Sequence, residues 1–178
     1  MTDMNRNQTL LRHFLATLAY QTAKALRGAP AGYEAFQPGH RARTPRQVVW
    51  HMSGALNYAI GLLSQPRDVL TDRATYSAEV ERFFATLREL ADSIRRTANP
   101  SDTTTEQLLQ GPLADAMAHA GQLALLRRLS GSSHSTGEFV VAAIEPERLG
   151  VEQLEARSPD AEWPEAPDSW SQLPPNER

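Results

Sequence analysis

The strongest constraint on the fold of this chain is an apolar repeat between residues 76 and 98. Its apolar residues follow one another at alternating steps of four and three: Tyr76, Val80, Phe83, Leu87, Leu90 and Ile94. This spacing places all of these side chains on one stripe of an α-helix, as is typical of a helix packed in a bundle. Asn99 and Pro100 then end the periodic pattern. The chain therefore contains a long helix that needs partner helices to cover its apolar side.

Three further stretches with helical periodicity supply those partners. They cover residues 9–26, 45–63 and 112–129. Thr44 followed by Pro45 is a typical helix start, because threonine caps free amide groups and proline fits the first helical turn. We expect an all-α fold, an antiparallel four-helix bundle whose helices lie at residues 9–26, 45–63, 76–98 and 112–129.

The C-terminal part of the chain has a different pattern. Residues 138–144 (EFVVAAI) form a short strand-prone run, and residues 145–156 suggest a loop with one or two helical turns. Residues 157–178 contain five prolines and an acidic excess, which is typical of an extended tail. We expect a bundle domain with an irregular extension over residues 1–156, followed by a Pro-rich acidic tail over residues 157–178.

Composition excludes several classes of function. The chain has no cysteine, so it offers no disulfide, no thiolate nucleophile and no thiolate metal ligand. Its net charge of -3 is unlike the basic surface of most nucleic-acid-binding proteins. No apolar run approaches the roughly 20 residues that span a bilayer, and the N-terminal residues lack the apolar core of a signal peptide. We expect a cytoplasmic protein without a nucleic-acid or membrane partner.

The helix at residues 112–129 carries polar residues where a core face is expected. Arg127 and Arg128 indicate its solvent side. The opposite side is expected to hold a half-polar, half-apolar stripe: Asp115, His119, Gln122, Leu125, Leu126 and Leu129. A buried carboxylate needs compensation, since burial without a partner is costly. Asp115 and His119 are one helical turn apart, so their side chains can point at the same place.

The helix at residues 45–63 supplies a third polar residue of this kind. Its predicted apolar stripe contains Val48, Ala55, Tyr58, Ala59 and Leu62, and its predicted polar side contains Arg46, Ser53 and Asn57. His51 falls on the apolar stripe. Two histidines and one carboxylate suit zinc, non-haem iron, nickel or manganese and leave coordination positions open.

Two interpretations of these residues stay open. In the first, His51, Asp115 and His119 bind one divalent metal ion, and Gln122 orients a ligand or a bound water. In the second, His51 is a neutral core histidine bonded to the backbone, and Asp115 and His119 form an ordinary ion pair.

Two segments of the chain resemble the DinB-like superfamily of metal-binding four-helix bundles. They are TPRQVVWHMSGALNYA, which begins at Thr44, and LADAMAHAGQLALLRRLSGS, which begins at Leu113. The resemblance covers about residues 9–150. It implies a metal site of three side chains, usually histidines, with one on the second helix and two spaced by four on the fourth. His51 and His119 match two of these positions, and Asp115 stands where the remaining histidine usually lies.

The resemblance also implies a chemistry. Characterised relatives include transferases and isomerases that use low-molecular-weight thiols. We therefore expect a metal-dependent enzyme, of transferase, isomerase or hydrolase-like type, acting on a small molecule or thiol. The alternative is a non-catalytic metal-binding protein or a dimeric interaction module. A homodimer is expected in both cases, because bundle surfaces readily pair. The sequence assigns no catalytic or cofactor-binding residue beyond the three metal ligands.

Overall fold

The fold is known from a computed structural model that describes residues 5–39, 41–97, 101–132, 139 and 142–154. In this part of the chain the helices are α1 (Arg6–Leu26), α2 (Pro45–Leu63), α3 (Tyr76–Arg96), α4 (Asp102–Leu108) and α5 (Ala114–Leu129). A short 3-10 turn (Tyr33–Ala35) follows α1, and a π-helical turn (Leu109–Leu113) joins α4 to α5. The described residues contain no strand, so their fold is all-α, as predicted.

The starts of α1 and α2 are fixed by reciprocal hydrogen bonds. The Asn5 side chain accepts from the backbone N–H of Gln8, whose own side chain accepts from the Asn5 N–H. Thr44 and Gln47 form the same capping box before α2. Such caps satisfy amide groups that the first turn of a helix leaves unpaired. The predicted start of α2 is confirmed, and His51 follows almost two turns later.

The predicted last helix, about residues 112–129, corresponds to α5 (Ala114–Leu129), but the helical segment that leads into it was not predicted. A helical segment already begins at Asp102, where the Ser101 side chain accepts from the backbone N–H of Thr104. Gly111 and Pro112 lie inside the segment, because the π-helical turn absorbs the non-helical backbone of Gly111 (φ -100°, ψ -105°) and the missing N–H of Pro112. Helix α4 is difficult to predict from the sequence, because the threonines of this helix have low helix propensity.

The four long helices pack in a ring around one core. Helix α1 contacts α3 and α5, and α2 contacts the same two helices. Four of the six residues of the apolar repeat on α3 are completely buried: Phe83, Leu87, Leu90 and Ile94. The repeat therefore does face partner helices, as the sequence predicts.

Helix direction follows from hydrogen bonds near the helix ends. Gln8, near the start of α1, donates from Nε2 to the carbonyl of Ile94 near the end of α3 (3.1 Å), so α1 and α3 are antiparallel. Arg127, near the end of α5, donates to the carbonyls of Ala25 (3.1 Å) and Gly28 (2.9 Å) at the end of α1. Helices α1 and α5 therefore run in the same direction.

Helices α2 and α3 also run in the same direction, and the predicted antiparallel arrangement is wrong for this pair. The crossing segment (residues 64–75) returns along α2, with successive contacts from Asn57 to Asp68, Trp50 to Leu70 and Arg46 to Asp72. An extended chain spans about 3.3 Å per residue, so this segment is long enough to return along α2. Its length permits a parallel pair, and the apolar periodicity of the two helices carries no information on direction.

The chain divides into two compact units. One comprises residues 1–134 and 144–153, and the other comprises residues 135–143 and 154–178. In the first unit, Arg12 pairs with Glu147, and Leu149 is buried. Residues 145–154 contain turns but none of the helical turns suggested by the sequence.

The predicted strand-prone run at residues 138–144 shows no strand at its described positions. The predicted tail at residues 157–178 lies outside the described residues. Among the described helices, none combines the length and apolar character that crossing a membrane requires.

Candidate metal centre

The three predicted ligands meet where α2 packs against α5. Asp115 and His119 lie one turn apart on α5, and His51 approaches them from α2. The π-helical turn (Leu109–Leu113) directly precedes α5. Turns of this type are frequent at functional sites, since the extra residue changes which side of the following helix faces its neighbour. The fold thus brings together residues that are far apart in the sequence.

The distances within this cluster fit a bound ion. His51 Nε2 lies 3.1 Å from Asp115 Oδ2, and His119 Nε2 lies 3.5 Å from Asp115 Oδ1. One ligand atom from each residue lies within 4.8 Å of the others. Ligands held about 2.1 Å from a tetrahedral zinc ion lie about 3.4 Å from one another. The group of His51, Asp115 and His119 could therefore hold a metal ion.

Gln122 orients the imidazole of His119. Its Oε1 lies 2.7 Å from His119 Nδ1, where it can accept a hydrogen bond. A neutral His119 that donates from Nδ1 presents the lone pair of Nε2 toward Asp115. This is the usual arrangement of a metal-binding histidine, whose second nitrogen donates to a fixed acceptor. The predicted supporting role of Gln122 matches this hydrogen bond.

Arg43 brings a positive charge to the edge of the cluster. Its Nη1 lies 3.4 Å from His119 Nε2, and the side chain is exposed. The sequence analysis missed Arg43, because it lies in the loop before α2, where no periodicity indicates a direction. An arginine beside a cation site favours an anion at that site once the ion is bound.

The surroundings of His51 favour its neutral imidazole. Burial lowers the pKa of His51 below its ordinary value, and the nearby charges of Arg43 and His119 act in the same direction, whereas Asp115 raises it. A neutral imidazole is the form that binds a metal ion, since the protonated ring has no free lone pair.

The cluster is closed on one side and open on the other. The His119 side chain is only 8% exposed, whereas those of His51 and Asp115 are 36% and 47% exposed. A small molecule can therefore approach the ligand atoms from the side of His51 and Asp115. An accessible side of this kind is what a catalytic metal site needs, since such a site keeps a coordination position open.

A groove adjoins the cluster at His51. It lies between α2 and the crossing segment, encloses about 480 Å³ and is lined on α2 by His51, Gly54, Ala55, Tyr58, Gly61 and Leu62. Volumes of about 300–1,000 Å³ are usual for small-molecule sites. The predicted apolar stripe of α2 thus lies partly in this groove.

Two predictions about helix faces are corrected by the structure. On α2, Tyr58 and Leu62 are exposed, whereas Ser53 and Asn57 are buried. The reason is that hydrogen bonds satisfy these polar groups: Ser53 Oγ donates to the Val49 carbonyl, and Asn57 Nδ2 donates to the carbonyl of Asp68 on the crossing segment.

The second correction concerns α5. Leu125 and Leu129 are about half exposed, whereas Arg127 is buried. The buried guanidinium is compensated by its hydrogen bonds to the end of α1, so the arginine does not mark the solvent side. Asp115 and Gln122 are likewise exposed, and of the three polar residues predicted on this face only His119 is buried.

Comparison with family models, curated proteins and solved structures gives no match to this chain.

Proposed function

We propose that the protein is a metal-dependent enzyme of DinB-like type, with His51, Asp115 and His119 as the ligands of one divalent ion. One observation carries this proposal. Nε2 of His119, oriented by Gln122, and Oδ1 of Asp115 lie 3.5 Å apart. A neutral His119 in this orientation and the carboxylate both present lone pairs, so the arrangement favours a cation between them.

The exposed side of the cluster supports an enzyme rather than a protein with a closed, structural metal site. Three protein ligands leave coordination positions free, and the groove begins beside His51. A divalent ion there would supply Lewis acidity toward a small molecule. Zinc, nickel, iron and manganese all suit two histidines and a carboxylate.

A thiol-dependent transfer or isomerisation is the reaction class that the resemblance suggests. Since the chain contains no cysteine, any thiol must enter with the substrate. Two exposed leucines on α5, Leu125 and Leu129, lie one turn apart and support the expected homodimer.

The test is calorimetric titration of metal-free protein with zinc, nickel and manganese. His51→Ala should weaken binding more than about 100-fold, because even the loss of an outer-shell partner typically costs 10- to 100-fold. His13→Ala is the matched control, since His13 is an exposed histidine on α1. We expect the control to bind like the wild type.

Equal metal affinity in the wild type and His51→Ala would contradict the proposal. So would the absence of any binding tighter than about millimolar, a standard free energy of roughly -4 kcal/mol. Either result would favour the interpretation of the cluster as an ordinary ion pair of Asp115 and His119 beside a neutral His51.

A further inference from the structure

The groove beside His51 exists because α2 carries small residues where the crossing segment passes. Gly54, Ala55 and Gly61 provide its floor on α2. A Cβ atom added at Gly54 would meet no atom within 4 Å, so the space above this residue is open. Hydrogen bonds from Trp50 and Asn57 hold the crossing segment in place. The groove is therefore a preformed cavity with a fixed wall.

The long part of the groove offers a ligand mainly apolar surface. Tyr58 and Val69, at its rim, are 62% and 90% exposed. Two polar side chains along the walls are already engaged, since Asn57 donates to a backbone carbonyl and Arg67 pairs with Glu89 (2.5 Å). Large apolar side chains exposed around a cavity are typical of a surface that a ligand covers.

The two parts of the groove differ in charge. Asp68 lies farther along it, beside Asn57, and its carboxylate disfavours an anion there. At the other end, Arg43 lies beside His119 of the ligand cluster. When a divalent ion is bound, the combined formal charge of the ion, Asp115 and Arg43 is positive. That end then attracts an anionic group.

From this polarity we infer that the ligand of the site is an amphipathic acid. Its carboxylate or similar anionic head lies at the ligand cluster of His51, Asp115 and His119, beside Arg43. Its apolar tail lies along α2 over Gly54. The inference rests on the proposed metal site for the head of the ligand. The proposed position of the tail depends only on the groove. From His51 to Leu62 the helix rises about 16 Å, which leaves room for an alkyl or aryl tail of several carbon atoms.

The test uses simple probes on zinc-loaded protein: acetate, octanoate and 1-octanol, each titrated by calorimetry. Octanoate should bind at least about tenfold more tightly than acetate, because each buried methylene contributes about 0.8 kcal/mol. Gly54→Leu fills the groove and should remove this advantage while leaving zinc affinity unchanged. Gly121→Leu is the matched control, because an added Cβ there also meets no atom and Gly121 does not line the groove.

Arg43→Gln tests the head of the ligand. It should weaken the binding of acetate and octanoate by a similar factor, about tenfold or more, since hydrogen bonds to charged groups contribute about 1.5–3 kcal/mol. The substitution should leave the binding of octanol unchanged, because octanol carries no charge. This difference separates a specific role of Arg43 from a general structural one.

Equal binding of octanoate and acetate, or equal effects of Gly54→Leu and Gly121→Leu, would overturn the apolar subsite. Unchanged acetate binding in Arg43→Gln would overturn the anionic one. Zinc is titrated first, so failure of the metal site is seen separately and also removes the proposed head site. Octanol binding to zinc-free protein then decides the tail site: binding that is lost in Gly54→Leu supports it, and no binding overturns it.

Discussion

The two ends of α5 each carry a buried polar side chain, but the partners of these two side chains differ. At the C-terminal end, Arg127 donates to the carbonyls of Ala25, Arg27 and Gly28 at the end of α1. At the N-terminal end, His119 and Asp115 converge with His51, and one side of that cluster is open to solvent.

This difference separates a structural polar group from a functional one. The Arg127 donors satisfy carbonyl groups that the last turn of α1 leaves unpaired, so both partners gain from the contact. In the cluster, by contrast, possible metal ligands from three residues converge; Gln122 lies 2.7 Å from Nδ1 of His119, and Arg43 lies 3.4 Å from its Nε2. Burial of a polar residue alone does not indicate a site. A group of possible metal ligands that converge beside an accessible surface does.

The largest effect on the structural side of this comparison is expected from Arg127→Met. The change leaves the carbonyls at the end of α1 without donors and should lower the free energy of unfolding by about 2–3 kcal/mol. Arg128→Met is the matched control, because Arg128 is exposed and should cost less than about 0.5 kcal/mol. Urea unfolding of both variants measures the difference. Equal losses would show that the Arg127 hydrogen bonds contribute no special stability.

The two ends should also differ in their response to pH. Arginine stays protonated at any physiological pH, so the contacts of Arg127 do not change between pH 8 and pH 5. Zinc binding at the cluster should weaken as pH falls, because protons compete for the histidine nitrogens.

The lowered pKa of His51 limits this loss. One histidine of ordinary pKa costs about tenfold in affinity between about pH 7 and pH 5.5, and two would cost about a hundredfold. Because the pKa of His51 is lowered, its imidazole stays neutral to lower pH. We expect a decrease smaller than about a hundredfold in titrations over this range. An affinity that does not change with pH would exclude histidine ligands.

The smallest effect is expected from Asp115→His. It restores the three-histidine set that the resemblance implies, with a neutral ligand in place of a carboxylate. Affinity for zinc or nickel should stay within about tenfold of the wild type or increase, since both metals accept imidazole well. Asp115→Ala removes the ligand and serves as the reference. A histidine variant as weak as the alanine variant would show that position 115 does not contact the ion.

The sequence predicts the four long helices and the Thr44 cap of α2, because both depend on local spacing. The repeat on α3 and the Thr44–Pro45 start of α2 are examples. It does not predict that α2 and α3 are parallel, since that depends on the path of the crossing segment. It also misplaces Arg127, because the carbonyls that compensate its charge belong to another helix.

The three candidate ligands were found although the predicted face of α5 was partly wrong. They were singled out by their polar character on predicted core faces, by the four-residue spacing of Asp115 and His119, and by the resemblance at His51 and His119. Leu125 and Leu129, assigned to the same face, are exposed. The position of Arg43 and the groove along α2 could not be predicted, because both depend on segments without periodic pattern that fold back on α2.

The most direct test of the metal site is X-ray absorption spectroscopy at the zinc edge on protein loaded with one equivalent of zinc. The account predicts two imidazole ligands and an oxygen at about 2.0–2.2 Å, with one imidazole lost in His51→Ala and unchanged spectra in His13→Ala. A shell made only of oxygen ligands, or the same imidazole count in both variants, would contradict it.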